Sequence, residues 1–433
     1  MIAIIGAGIS GLALALELQK RGLSYRLFEA GEEVGGVIRS RREGPYLREI
    51  GPNSLLVDQP LLTYIDELGL TPALRFSKPI SKARYVYREG AYRKLPSGPL
   101  SLLFGRYFSW KTIRAIWNER NNRTLSPPGE TLAAFFRRRF SQEIVDYALT
   151  PFVTGVYAGD PEKLLVAETF PSLVEYEKKY GSVLRGFLKA AGAGRRQTVS
   201  FREGMQMLPQ AIASRLTALN LNDPVEALTR TGSNWTVAAR SGTYNATAVV
   251  LATDTLTAAR LLKTTFPDTA EAIGKIDYPP MTAVHTVYKR AEVAHPLDGF
   301  GGLNPKAENR FCAGHIWNSS TFEDRCPADE VLLTTFVGGR LSPQNAAMPD
   351  EITLRNVRQE HQQAFGISGK PVQQWLARWE RAIPQYDAAY LAAKASVGAL
   401  EQSGVFVCAN WYGGISLPDG IRKAGELAGR LTD

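Results

Sequence analysis

The 433-residue sequence predicts an α/β fold, α+β taken as a whole, with one unit built from separated stretches of chain. Three observations predict it. The chain opens MIAIIGAGISG, an apolar run with glycines spaced G-x-G-x-x-G. A basic, apolar-rich segment of helical character interrupts the chain after residue 95. From Val199 the pattern turns back towards the opening unit, and a buried strand at Val405 to Ala409 followed by a helix closes the chain.

Ile2 to Ile5 reads as a short buried strand and Leu12 to Lys20 as a helix, the first half of a dinucleotide-binding βαβ unit. Gly6 allows the tight turn, Gly8 lets backbone approach a pyrophosphate, and Gly11 lets helix and strand pack closely. The helix N-terminus offers free N–H groups and a positive dipole end to the phosphates. The next strand, Ser24 to Glu29, ends in an acid 18 residues after Gly11, where a carboxylate accepts from a ribose diol. Glu29 argues against a 2′-phosphate and so against NADP. Gly35, Gly36 and Arg39 in EVGGVIRS resemble the extended fingerprint of FAD oxidases of the amine oxidase type.

Composition is that of a soluble globular chain, 44% hydrophobic and 21% charged, long enough for two or three domains. With a strand starting at residue 2, no leader is expected before it, and no apolar run reaches the ~20 residues of a membrane-spanning helix. The expected location is cytoplasmic. Cys312, Cys326 and Cys408 form no C-x-x-C, and His285, His295, His315 and His361 show no ligand spacing, so no metal is expected. Residues 81–140 hold thirteen Lys or Arg against three acids, so this segment carries the whole +9 excess. Arg106, Lys111, Arg114, Arg120 and Arg123 alternate there with Phe108, Trp110, Ile113, Ile116 and Trp117, as on helices at a membrane interface. Packing of that apolar face on its own domain is the alternative. With no nucleic-acid module visible, nucleic acid is not expected as a partner.

The remaining elements follow in order. Gly51, Pro52 and Asn53 form a turn. Leu61 to Leu70 is a short helix, and Ala83 to Tyr87 with Tyr92 to Leu95 a hairpin tipped by Glu89-Gly90. Ser141 to Leu149 is helical. Glycines and Pro161 interrupt the pattern from Thr150 to Leu164, and Ala167 to Tyr180 is a charged helix. Gly192 to Arg196 is a loop. Val225 to Leu228, Trp235 to Ala239 and Ala246 to Leu251 are strands of a second sheet, the last leading to Ala252 and Thr253. A β-rich region opens at Tyr278 and includes Val331 to Val337; helices cover Asp350 to Phe365 and Tyr386 to Ala395. At the end, NWYGG leads into a helix running to Leu431, whose N-terminus could face a flavin pyrimidine.

Several stretches together, PFVTGVYAGDPEKL, FREGMQMLPQAI, DYPPMTAV, LLTTFVGGR and ANWYGGISLPDGI, resemble the oxygen-dependent protoporphyrinogen or coproporphyrinogen III oxidases of haem synthesis, from residue 1 to the C-terminus. The resemblance implies a discontinuous Rossmann-like FAD domain (1–72, 200–275 and 403–433), a substrate domain with an antiparallel sheet (73–97 and 276–402) and a helical membrane-associating insert (98–199). It places FAD against Gly6, Gly8, Gly11, Glu29, Ala30, Gly35, Gly36, Arg39, Gly51, Pro52, Asn53, Ser54, Val225, Ala252, Thr253, Asn410, Gly414, Ile415 and Ser416. Arg84 matches an arginine that meets a porphyrin propionate, and Gly155 a small residue that leaves room for the macrocycle. Leu303 and Trp317 fall where apolar or aromatic side chains meet the pyrrole rings.

The implied reaction is six-electron dehydrogenation of protoporphyrinogen IX, three hydrides passing to the flavin and oxygen taking the electrons. No nucleophile or acid–base constellation is visible, which suits a reaction run by positioning and cofactor. No catalytic residue is therefore assigned. Coproporphyrinogen III as substrate, or an amine oxidase on the same fold with Trp411 and Tyr412 as an aromatic cage, are the alternatives. The expected location narrows to the inner membrane face, with a homodimer left open.

Overall fold

The computed structural model describes residues 1–190 and 196–432, so the loop expected at 192–196 lies almost wholly outside the described residues. Strand Ile2–Ile5 is buried at all four positions because it runs mid-sheet with both faces covered. It pairs in parallel with Tyr25–Phe28 on one side and Ala248–Leu251 on the other. Leu219–Asn220 and Val405–Val407 complete a five-stranded parallel sheet at its two edges. Three distant stretches thus rebuild one sheet around the opening strand. The expectation of Ala246 to Leu251 as part of a second sheet is corrected here. Ala248–Leu251 belongs to the parallel sheet, while Val225–Thr231, Asn234–Ala239 and Gly242–Ala246 form a separate antiparallel sheet. Its four buried apolar residues need cover on both faces, which only the parallel sheet offers.

Leu55–Val57, Gln197–Phe201 and Leu74–Phe76 form a small antiparallel sheet that ties together the chain on either side of the insert. A seven-stranded sheet runs Gln373–Trp379, Met281–Lys289, Glu330–Gly338, Gly314–Trp317, Gly301–Leu303, Tyr85–Arg88, Ala91–Lys94. All its pairings are antiparallel except that of Gly301–Leu303 with Tyr85–Arg88. Helix Asp350–Phe365 covers one face through Val357, His361 and Phe365. On the other face, Trp379 Nε1 donates to the Ile50 carbonyl at 3.0 Å, joining this sheet to the loop that follows Glu49.

The insert is helical. Arg139 is fully buried, pairing with Glu119 at 2.8 Å and Glu177 at 2.6 Å, both also buried. Arg138 adds Glu130 and Glu177, each at 2.8 Å, and Arg88 pairs with Glu143 at 2.8 Å. Charges removed from water persist only when paired in this way. Part of the basic excess is therefore internal scaffolding. Thr150 to Leu164, expected as interrupted backbone, is helical over Thr150–Tyr157 and stops at Ala158 in the left-handed region. Pro151 sits in the first turn, where its missing N–H costs little. The helix expected over Ala167 to Tyr180 is two, Val166–Thr169 and Pro171–Tyr180, because Pro171 breaks the backbone ladder.

Candidate active site

The opening turn has the shape its glycines require. Gly6 has φ +105°, and a Cβ there would lie 2.8 Å from the Ala252 carbonyl oxygen. A Cβ on Gly11 would strike the Gly6 carbonyl, so helix and strand pack at a distance only glycine permits. Gly8 differs: a Cβ there meets nothing within 4 Å. Gly8 is also the N-cap of helix Ile9–Lys20, with no side-chain cap and no acid in the first turn. The helix N–H groups therefore open onto clear space, a cradle for a pyrophosphate. Glu29 closes one side, its two oxygens accepting from Ala7 N at 2.7 Å and Gly31 N at 2.8 Å. Ala30 is exposed beside it. Gly8 bridges Gly35, and a Cβ on Gly36 would lie 3.4 Å from Gly8 Cα, so the second glycine pair faces the first. Arg39 Nε donates to the Gly36 carbonyl at 3.1 Å. Asp223 N donates to the Glu29 carbonyl at 2.8 Å, which sets buried Val225 close by. These residues fit a dinucleotide such as FAD.

Two further segments converge on this end of the parallel sheet. Gly51 is pressed against the Val37 carbonyl, and Asn53 donates to the Gly51 carbonyl at 3.2 Å. Asn53 Oδ1 accepts from Asn318 at 2.8 Å, and Asn318 accepts in turn from Thr334 at 2.8 Å. Pro52 and Ser54 are half-buried in the same loop. Glu49 just before it is buried, accepting from Ser40 at 2.6 Å and Met205 N at 2.9 Å; burial raises its pKa to about 7. The second segment follows Val405–Val407. Trp411, fully buried, donates to the Thr253 carbonyl at 2.9 Å, so this turn is tied to the one at Ala252 and Thr253. Ser416 then caps helix Leu417–Arg430 in a capping box with Asp419. A Cβ on Gly420 would lie 2.8 Å from Ser10 Oγ, so the final helix meets the opening one near both N-termini.

The proposed substrate residues divide. Arg84 is exposed just before strand Tyr85–Arg88, its guanidinium 4.1 Å from the Phe300 ring centroid. It donates to the Ser81 and Ala83 carbonyls and has no carboxylate partner among the described residues. Gly155 lies against Leu303: a Cβ there would come within 2.8 Å of Leu303 Cδ2. Phe152, Gly155 and Val156 form an exposed, largely apolar face of helix Thr150–Tyr157 opposite that side chain. Trp317 does not join them. The register pairs Gly301 with Ile316 and Leu303 with Gly314, so Trp317 points to the opposite face of the sheet. It is fully buried there, 5.3 Å from Tyr85 and 5.0 Å from His295 between ring centroids. The expectation that it shares a face with Leu303 is corrected: alternation along the strand puts half-buried Ile316 on that face instead.

Sequence reading missed Phe300, Asn318, Tyr386, Tyr390 and Lys423. Of these only Lys423 had a local signal. It is half-buried in the final helix, three positions after buried Gly420 and four before buried Leu427.

Residues 9–431 match the family described by the words "Flavin containing amine oxidoreductase". A protoporphyrinogen oxidase of Arabidopsis thaliana is 30% identical across 99% of this chain and 92% of its own length. The chain belongs to the flavin-containing amine oxidoreductases, alongside the protoporphyrinogen oxidases. It is an FAD-dependent oxidoreductase. The Bos taurus protoporphyrinogen oxidase is 27% identical across 99% of this chain and 98% of its own. In fold, a candidate protoporphyrinogen oxidase from an Exiguobacterium species superposes with a TM-score of 0.82 at 22% identity, covering 99% of this chain and 98% of that one. A putrescine oxidase bound to putrescine superposes at 0.70 with 18% identity, covering 100% and 98%. The mixed α/β architecture with its FAD unit is common to them.

Proposed function

We propose that this enzyme oxidises protoporphyrinogen IX to protoporphyrin IX. The observation that carries the reading is the packing of Gly155 on Leu303, whose strand pairs with the strand that Arg84 precedes, with Arg84 exposed and without a carboxylate partner among the described residues. An apolar floor with a cation at its edge suits a flat macrocycle carrying carboxylates, and not a cationic amine. In this reading FAD lies along Gly8, Glu29 and Gly36, with its ring between the Gly51–Ser54 loop and the Asn410–Ser416 turn. The 1–72, 200–275 and 403–433 stretches form the FAD domain, 73–97 and 276–402 the substrate domain, and 98–199 the insert.

When bound, the flavin supplies hydride acceptance and passes electrons to oxygen. The protein's part is to bind and orient. Arg84 fixes a propionate, Phe300 supports its guanidinium, and Gly155 lets Leu303 pack directly against helix Thr150–Tyr157 to form the apolar floor. Three of the four histidines are not poised for proton transfer in the cleft. His285, His315 and His361 are buried and hydrogen-bonded to threonines at 2.7–3.0 Å. Orientation therefore carries the rate. The test is porphyrin fluorescence and oxygen uptake with protoporphyrinogen IX, about three oxygens per ring, one for each hydride. Coproporphyrinogen III and a panel of amines run beside it. Turnover of amines with no porphyrin gained above autoxidation would overturn the reading.

The insert binds an anionic membrane from one side, and the enzyme works at the inner membrane face. Trp110, Trp117, Phe187 and Leu188 are all more than half exposed. Lys111, Arg114 and Arg120 are exposed among them. That pairing of aromatic and basic groups fits a lipid headgroup region. No helix among the described residues is long and apolar enough to cross a membrane.

A further inference from the structure

We propose that Lys423 is a positioning residue for the flavin: its ammonium closes the Ala409–Gly414 turn and holds a positive charge beside the pyrimidine end of the ring. The inference rests on the placement of FAD proposed above. One Nζ donates to three carbonyls, those of Ala409 at 2.7 Å, Tyr412, and Gly414 at 3.2 Å. An ammonium has three protons, so each is used on backbone. No carboxylate forms an ion pair with it among the described residues. The charged or titratable groups around it are Asp419, Arg422 and Glu426 on its own helix and Cys408 on the adjoining strand.

The rest of the turn is held by neutral groups. Gly414 N donates to Tyr386 Oη at 2.9 Å, and that hydroxyl donates to the Asn410 carbonyl at 2.8 Å. Tyr390 stacks on Tyr386 at 4.3 Å between centroids, with its hydroxyl 3.5 Å from Gly413 N. Trp411 anchors the turn to Thr253. Tyr386 serves the Asn410 carbonyl and Trp411 ties down one side, while Lys423 draws together the carbonyls of Ala409, Tyr412 and Gly414.

Its helical position asks only for volume, since Gly420, Ala424 and Leu427 around it are buried and small or apolar. A leucine would fill the same space. A lysine there loses side-chain freedom and hydration, and desolvation pulls its pKa down to about 8. Packing does not account for that cost, but charge does. Hydride transfer leaves negative charge at the flavin pyrimidine, and a fixed cation one peptide from Ile415 and Ser416 stabilises it with no reorganisation. The N-terminus of the final helix adds to the same field.

The experiment measures the flavin midpoint potential by dye equilibration, and the FAD dissociation constant, in the holoenzyme and in Lys423→Gln and Lys423→Met. Both variants should lower the potential by about 30 mV, a tenfold change in the two-electron equilibrium. Lys423→Met should also release FAD more readily, because it takes the ammonium from the Tyr412 and Gly414 carbonyls and leaves Ala409 only the Tyr412 N–H, whereas Gln still donates. With substrate, kcat should fall and KM hold. Ser416→Asp is the control for placement: Asp can still accept from Asp419 N, gives up the hydroxyl's bond to the Asp419 carboxylate, and adds a negative charge at the same end. An unmoved potential in Ser416→Asp means that the turn does not face the ring, and the FAD placement itself fails. A potential lowered by Ser416→Asp but unchanged in Lys423→Gln leaves that placement standing and overturns the role given to Lys423.

Discussion

Replacing Arg84 by Ala separates a substrate contact from a surface charge. The guanidinium spends Nη1 on the Ser81 and Ala83 carbonyls and sits over the Phe300 ring, 4.1 Å from its centroid. Nε and Nη2 have no protein partner among the described residues, and together they form an edge that can grip a carboxylate with two parallel bonds. A charge-assisted hydrogen bond contributes about 1.5–3 kcal/mol, roughly ten- to a hundredfold in kcat/KM. The contact is equal before and during hydride transfer, so the loss should appear in KM with kcat nearly kept. The stacking on Phe300 is exposed and contributes only about 0.5–1 kcal/mol, so the melting temperature should move little. Flavin content should not change, because Arg84 stands at the start of the Tyr85–Arg88 strand, on the seven-stranded sheet and away from Gly8. Arg84→Lys should recover part of the loss, since a point charge cannot grip with two parallel bonds. Steady-state kinetics on protoporphyrinogen IX and coproporphyrinogen III decide it. Wild-type constants for Arg84→Ala on both would refute the reasoning and place the propionate elsewhere.

Gly8→Val should fold normally, because its φ of −70° suits any residue and nothing lies within 4 Å of the new Cβ, yet lose its flavin to the occupied cradle; absorbance at matched circular dichroism checks this. Gly155→Val should retain flavin but lose porphyrinogen turnover, since even a Cβ comes within 2.8 Å of Leu303; a variant with unchanged KM would show the macrocycle sits elsewhere. Glu49 has its pKa raised from 4.5 to about 7, so the native state holds its proton where the unfolded chain has released it. Its contribution to stability is whole below pH 4.5 and is lost as pH rises to 7, about 3 kcal/mol in all, and denaturant melts of Glu49→Gln should lack that slope. Trp110→Ala combined with Lys111→Glu should weaken sedimentation with anionic vesicles, and salt should do the same to the wild type; equal binding to neutral lipid would count against membrane attraction by charge.

The opening unit was legible from sequence because its constraints are local. Gly6, Gly8 and Gly11 answer to backbone geometry within one turn, and Glu29 closes the same unit a single strand later. The hairpin at Arg84 and the capped final helix are local in the same sense. Tertiary structure decided what depends on partners far along the chain. Ala248–Leu251 reads as a strand from its apolar run, but only its pairing with Ile2–Ile5 assigns it to the parallel sheet. Arg139 reads as one more basic residue, and becomes scaffolding because Glu119 and Glu177 enclose it. Trp317 and Ile316 are adjacent in sequence, yet a strand sends them to opposite faces, and which face meets the cleft follows from their pairing with Gly301–Leu303. Lys423 falls on the inner side of its helix by spacing alone, but its role appears only when three carbonyls of one turn gather around it. Backbone conformation is set by neighbours in sequence, whereas burial and charge pairing are set by neighbours in space.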